Sequence, residues 1–112
     1  MAIRPTTRTN VTLRAGTAVK FGCETDMRSR IRWNFRRPQQ RLHRVLYNGY
    51  TVERTVAWRV SVNEAAGGND LTVAGLVAED SGIYSCHDLK NFSVKVDFHL
   101  TVNGASFVGL FH

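Results

Sequence analysis

Apolar and polar residues alternate with a period of two along most of this chain, and no segment sustains the 3.6-residue period of an amphipathic helix. Val19, Phe21 and Cys23 alternate with Lys20 and Gly22, following a Gly16-Thr17 turn. Ile31, Trp33 and Phe35 repeat the pattern and leave Arg30, Arg32, Asn34 and Arg36 on the opposite face. Pro38 closes that segment because proline cannot donate to a strand ladder. Leu42 to Tyr47 reads as a further strand, ended by the hairpin signal Asn48-Gly49. Val56, Trp58, Val60 and Val62 share one parity, which predicts a strand with Trp58 inside or at the rim. After a loop at Ala65 to Asn69, Leu71, Val73 and Leu76 supply another inner face. Ile83, Tyr84 and Cys86 follow, and Val94, Val96, Phe98, Leu100 and Val102 give the clearest alternation of all. Seven to nine short strands at this spacing predict an all-β chain of two packed antiparallel sheets.

Size and composition narrow this picture. With 112 residues and 43% apolar residues there is material for one domain and one modest core. Residues 1–103 are expected to form it, with 104–112 an apolar C-terminal stub or linker too short to span a membrane. Contact with a membrane is therefore expected only through a longer parent protein. The two cysteines suit one structural bridge in an oxidising compartment or, in a reducing one, two buried thiols. A bridge closing the 62 intervening residues would stabilise the fold by roughly 4 kcal/mol. Two sequons, Asn10-Val11-Thr12 and Asn91-Phe92-Ser93, agree with a secretory origin and make Asn10 and Asn91 candidate glycosylation sites. The first residues lack the hydrophobic core of a signal peptide, so a secreted form is expected to have lost its leader.

Several motifs carry a family resemblance. Trp33 follows Cys23 by ten residues, and Asp80-Ser81-Gly82-Ile83-Tyr84 leads into Cys86. From about Asn10 to Asn103 the chain resembles a variable-type (V-set) domain of the immunoglobulin superfamily, with the intermediate (I-set) type as the nearest alternative. That resemblance implies an immunoglobulin sandwich in which Trp33, on strand C, packs against a disulfide between Cys23 on strand B and Cys86 on strand F. It implies a tyrosine corner at Tyr84 and an ion pair between Arg59 and Asp80, worth roughly 0 to 1 kcal/mol as a solvated, partly exposed bridge. Leu42 to Tyr47 would be strand C′, Val56 to Val62 strand D, and Val94 to Val102 strand G. Two departures stand out. Phe98-His99-Leu100-Thr101 replaces the Phe-Gly-x-Gly bulge through which antigen-receptor domains pair, and strand F lacks the arginine used by sialic-acid-binding lectins of the superfamily.

The resemblance implies an extracellular recognition domain of a cell-surface or secreted immune-type or adhesion receptor, binding a protein ligand or itself through its front sheet. Strand parity names the outward residues of that sheet: Arg32, Asn34 and Arg36 on C, Ser85 and His87 on F, and Lys95, Asp97 and His99 on G. On C′, Arg44 joins them and Tyr47 would supply an aromatic anchor. A homodimer through this face would bring Arg36 against its own copy, a repulsion that contacts between Arg36 and Asp97 could relieve.

Charge is the feature that goes beyond the fold. The formal net charge is +6, and seven of the fifteen basic residues (Arg28, Arg30, Arg32, Arg36, Arg37, Arg41 and Arg44) lie in one stretch without an acid. One reading is a solvated face whose arginines pair with Glu24, Asp26, Asp88 or Asp97. The other is a basic module that holds anionic glycans or lipids on the C to C′ arginines, since guanidinium forks suit sulfate, phosphate and carboxylate. A third class is a structural spacer in an adhesion protein. Nucleic acid is disfavoured by the bridge, the sequons and the lack of an interleaved aromatic platform. No enzymatic activity and no cofactor are expected. The four histidines lack metal-ligand spacing, no serine sits in a nucleophile elbow, and His87 and His99 are expected to approach one another across the F to G hairpin only as surface residues.

Overall fold

The period-two segments become strands in the computed structural model, which describes residues 6–23, 30–64, 69–90 and 95–104. The strands are β1 (Thr6–Arg14), β2 (Val19–Phe21), β3 (Ile31–Arg36), β4 (Arg44–Tyr47), β5 (Val60–Asn63), β6 (Asp70–Val73), β7 (Gly82–Asp88) and β8 (Lys95–Asn103). A five-stranded sheet runs in the order β1-β8-β7-β3-β4, and a three-stranded sheet in the order β2-β6-β5. The pairing is antiparallel throughout except for β1, which lies parallel to β8 along its whole length. That first strand is absent from the sequence reading because clear alternation within it is confined to Val11 and Leu13 among threonines and arginines.

The inner faces meet in a core in which Phe21, Ile31, Trp33, Leu71, Leu76 and Leu100 are fully buried. Cys86 stands directly opposite Trp33 in the β3–β7 ladder and is bonded to Cys23, so the bridge joins the two sheets beside the indole. The Trp33 indole N–H donates to the Asn69 carbonyl at 2.9 Å, which satisfies its one polar atom inside the core. Phe21 stacks on Phe98 at 4.7 Å between centroids and lies 5.1 Å from Tyr84.

The lower end is fastened by two polar devices. The Tyr84 hydroxyl donates to the Asp80 carbonyl at 2.7 Å, which is the expected tyrosine corner. Arg59 forks onto Asp80, Nη1 to Oδ1 at 2.9 Å and Nη2 to Oδ2 at 2.5 Å, and also donates to the Ala74 and Gly75 carbonyls. The two side chains are only 15% and 13% exposed. This is not the solvated pair that the sequence reading values at roughly 0 to 1 kcal/mol, because a two-point pair withdrawn from water is costly to break from one side. Asp80 in turn holds the Arg59 guanidinium above its ordinary pKa.

The segment before β5 departs from expectation. Arg54–Val56 forms a 3-10 turn rather than a strand, with the Glu53 side chain accepting from the Thr55 N–H, and the Arg59 N–H bonds back to the Val56 carbonyl at 3.0 Å. Curling the backbone breaks the shared parity of Val56 and Trp58. The strand therefore starts at Val60, and Trp58 is 81% exposed with the Arg59 guanidinium 5.6 Å from its ring. Likewise β4 begins at Arg44, leaving Leu42 exposed before it.

Candidate functional site

The outward face of the five-stranded sheet is ordered in rows by the strand register. The central row runs Arg8, Asp97, Ser85, Asn34, Val45 across β1, β8, β7, β3 and β4. On one side lie Lys95, His87 and Arg32, and on the other Asn10, His99, Ile83 and Arg36. Parity thus brings the predicted residues of C, F and G together. It does not make them equally accessible: Asn34, Ser85 and Asp97 are buried although they point away from the core. They occupy the middle of a five-stranded face, flanked by rows of longer side chains. The Ser85 hydroxyl donates to Asp97 Oδ1 at 2.7 Å, and Arg8 Nη2 lies 3.8 Å from Asp97 Oδ2. Asp97 is therefore held by β1, the strand the sequence reading lacks, and Arg8 is a front-face cation outside the predicted arginine stretch. Among the described residues Asn34 Oδ1 has no hydrogen-bond partner.

One predicted contact residue is placed differently from the expectation, and two others have intramolecular partners. Tyr47 is 2% exposed and stands opposite Trp33, because the β3–β4 register shifts between Trp33 and Asn34 and turns both Leu46 and Tyr47 inward. Its hydroxyl donates to Glu64 Oε2, and burial, with that carboxylate beside it, pushes the phenol up to about 12. It is no surface anchor. Arg44 spends its guanidinium on the Thr55 hydroxyl at 2.9 Å and on Glu53 at 3.5 Å. The Thr55 hydroxyl and N–H, together with Arg44, hold the exposed Glu53 carboxyl below its ordinary range. Arg36 donates to the Gln40 carbonyl at 3.1 Å, within its own turn.

Two apolar side chains are exposed in or just before β4, the marginal strand of the face: Leu42 and Val45. At the opposite margin Asn10 is exposed in β1, on the same outward face as His99. Asn91, Arg28, Glu24, Asp26, the loop 65–68, Val94 and the stub from residue 105 on lie outside the described residues, as does the Lys95 side chain.

Crevices open at both ends of the sandwich. At the lower end about 210 Å³ opens between Phe35, Leu46, Val56 and Val60, rimmed by Arg37 and Arg44 together with Glu79 and the Arg59–Asp80 fork. At the upper end about 260 Å³ is lined by Arg30, Tyr50, Leu89 and Lys90. His87 and His99 do not approach one another. The Ser85–Asp97 pair lies between their rows, because His87 opposes Lys95 and His99 opposes Ile83.

The family model described as the immunoglobulin V-set domain matches residues 6–103. No curated protein matches the chain. The match spans both sheets and every motif built around the Cys23–Cys86 bridge, and this chain accordingly belongs to the immunoglobulin V-set family.

Proposed function

We propose that this domain is an extracellular or secreted recognition module that binds a protein partner, or a second copy of itself, through the outward face of the five-stranded sheet. V-set domains commonly mediate protein–protein interactions and are typically extracellular and non-enzymatic. The bridge agrees with an oxidising compartment. The observation that carries the reading is the face itself. A pre-ordered polar row, locked by the Asp97–Ser85 hydrogen bond, leads to exposed Leu42 and Val45 at the β4 margin, and none of the other described strands covers it. A partner needs little ordering of that centre on binding, which lowers the entropic cost of association. Val45, Arg36 and His99 are the residues placed to touch it; Arg32 and Lys95 flank them, and Asp97 and Asn34 act from beneath. A glycan on Asn10 would stand at the β1 margin beside His99 and bound the contact on that side.

The test is sedimentation velocity over a concentration range, together with staining of intact cells by a fluorescent tetramer of the domain. Val45→Glu with His99→Glu is expected to abolish association or staining, while Ser61→Arg on the three-stranded sheet leaves both unchanged. Equal behaviour of the two variants would overturn the assignment of the face.

A further inference from the structure

The upper crevice is built by three separate pieces of chain that hold one another. The Leu89 N–H donates to the Arg30 carbonyl at 2.9 Å, joining the end of β7 to the start of β3. Arg30 Nη1 donates to the Gly49 carbonyl at 2.8 Å, which adds the turn after β4. Gly49 is required there. Its φ is +103°, and a Cβ would come within 2.6 Å of Leu89 Cδ1 and 3.2 Å of the Ile31 carbonyl oxygen. The Asn48 side chain accepts the N–H groups of Tyr50 and Thr51, both at 2.8 Å, and so fixes the turn that carries Tyr50. Tyr50 is 63% exposed, with the Arg30 guanidinium 4.2 Å from its ring centroid.

Among the described residues the crevice is lined by two cations, Arg30 and Lys90, and by no acid, whereas the lower crevice carries Glu79 and Asp80 on its rim. The nearest acid in sequence, Asp88, has Oδ1 turned onto the Lys90 N–H at 2.7 Å. Among the described residues Lys90 makes no ion pair, and Arg30 gives one nitrogen to Gly49 and keeps the rest of its fork. Such a fork, stacked and hydrogen-bonded before any ligand arrives, is pre-organised for a planar or tetrahedral anion. At about 260 Å³ the space falls below the ~300–1,000 Å³ of drug-sized sites, and Tyr50 and Leu89 give it an apolar wall. One charged sugar ring fits these terms, its carboxylate or sulfate on the two cations and its C–H face on the aromatic wall.

We infer that Arg30, Tyr50, Leu89 and Lys90 form a binding site for an acidic sugar unit of an extracellular glycan, at the end of the sandwich rather than on the C to C′ arginines. The site stands apart from the face proposed above, so either can fail without the other. The experiment is an NMR titration of the folded domain with a heparin-derived hexasaccharide, which carries sulfate and carboxylate, and with a hyaluronan hexasaccharide, which carries carboxylate alone. Shifts are expected to concentrate at Arg30, Tyr50, Leu89 and Lys90, and Lys90→Gln with Arg30→Gln is expected to weaken binding roughly tenfold or more. Lys90→Gln alone, an exposed change that breaks no side-chain contact among the described residues, should weaken it several-fold and guards against misfolding of the double variant. Arg37→Gln with Arg41→Gln removes the same charge from the other end and should change affinity by less than about twofold. Equal losses in the two double variants, or shifts spread over the whole basic surface, would overturn the site. Binding of hyaluronan with the same residue dependence would assign the carboxylate, and binding of heparin alone the sulfate. A hexaglutamate peptide that binds as tightly through the same residues would overturn the glycan assignment in favour of an acidic protein segment.

Discussion

Single side chains decide how firmly the lower end of this domain is closed. Arg59 and Asp80 share a two-point contact that is largely withdrawn from water, so removing one partner strands the other. Arg59→Met is expected to cost about 3 kcal/mol, read as a lower urea midpoint at unchanged m-value. Tyr47 makes a different prediction, for alkaline pH. Its phenol titrates at about 12 in the folded domain against an ordinary tyrosine near 10, so the folded state holds the proton longer than the unfolded one. The corresponding stability is fully present below pH ~10 and is lost progressively as pH rises from there to about 12. Buried Tyr84 is pushed up as well, chiefly by burial, and adds to the same loss. Denaturation followed against pH should show the fall beginning near pH ~10, and Tyr47→Phe should make it shallower. An unchanged slope in Tyr47→Phe would show that the phenol is not held protonated by the fold.

Elements tie these residues into working geometry, and two of them do so through backbone conformation. The turn at Asn48 to Thr51 relies on Gly49 in the left-handed region beneath Leu89. Gly49→Ala is expected to destabilise the domain by roughly 2 kcal/mol and to speed amide exchange at residues 48–51 and 89–90. It should also release Arg30 from its carbonyl and so impair the glycan site more than Lys90→Gln does. β1 matters in another way. It covers the edge of β8 along nine residue pairs and brings Arg8 to Asp97. Deleting residues 1–14 should expose that edge, and concentration-dependent association on size-exclusion chromatography is the expected result. The element boundaries that escape the sequence reading share one physical cause. Val56 and Trp58 have strand parity, yet the Glu53 cap and successive 3-10 hydrogen bonds take the backbone another way, and local parity carries no record of such bonds.

At the scale of the molecule, two sheets of unequal width enclose one core, and none of the other described strands covers the outward face of the wider sheet. We propose that the folding unit ends with β8, whose last buried residue is Val102, and that residues 105–112 contribute nothing to stability. Truncation after Gly104 should then leave the melting temperature within about 1 °C of the full chain, since no buried contact of the described core is lost. The sequence by itself determined the all-β class, the Cys23–Trp33–Cys86 assembly, the tyrosine corner and the partnership of Arg59 with Asp80. The class rests on period-two alternation, and the other three on the motifs by which the chain resembles V-set domains. Only the tertiary structure decided which polar residues of the front sheet are reachable. Asn34, Asp97 and His99 alternate alike in sequence, but the two that share the register row of Ser85 are buried, and one bulge beside Trp33 turns Tyr47 from the surface into the core. It also decided where cations remain available. Ion pairs bind Arg44 and Arg59 to acids on other segments, while Arg30 is brought beside Lys90 at the upper crevice.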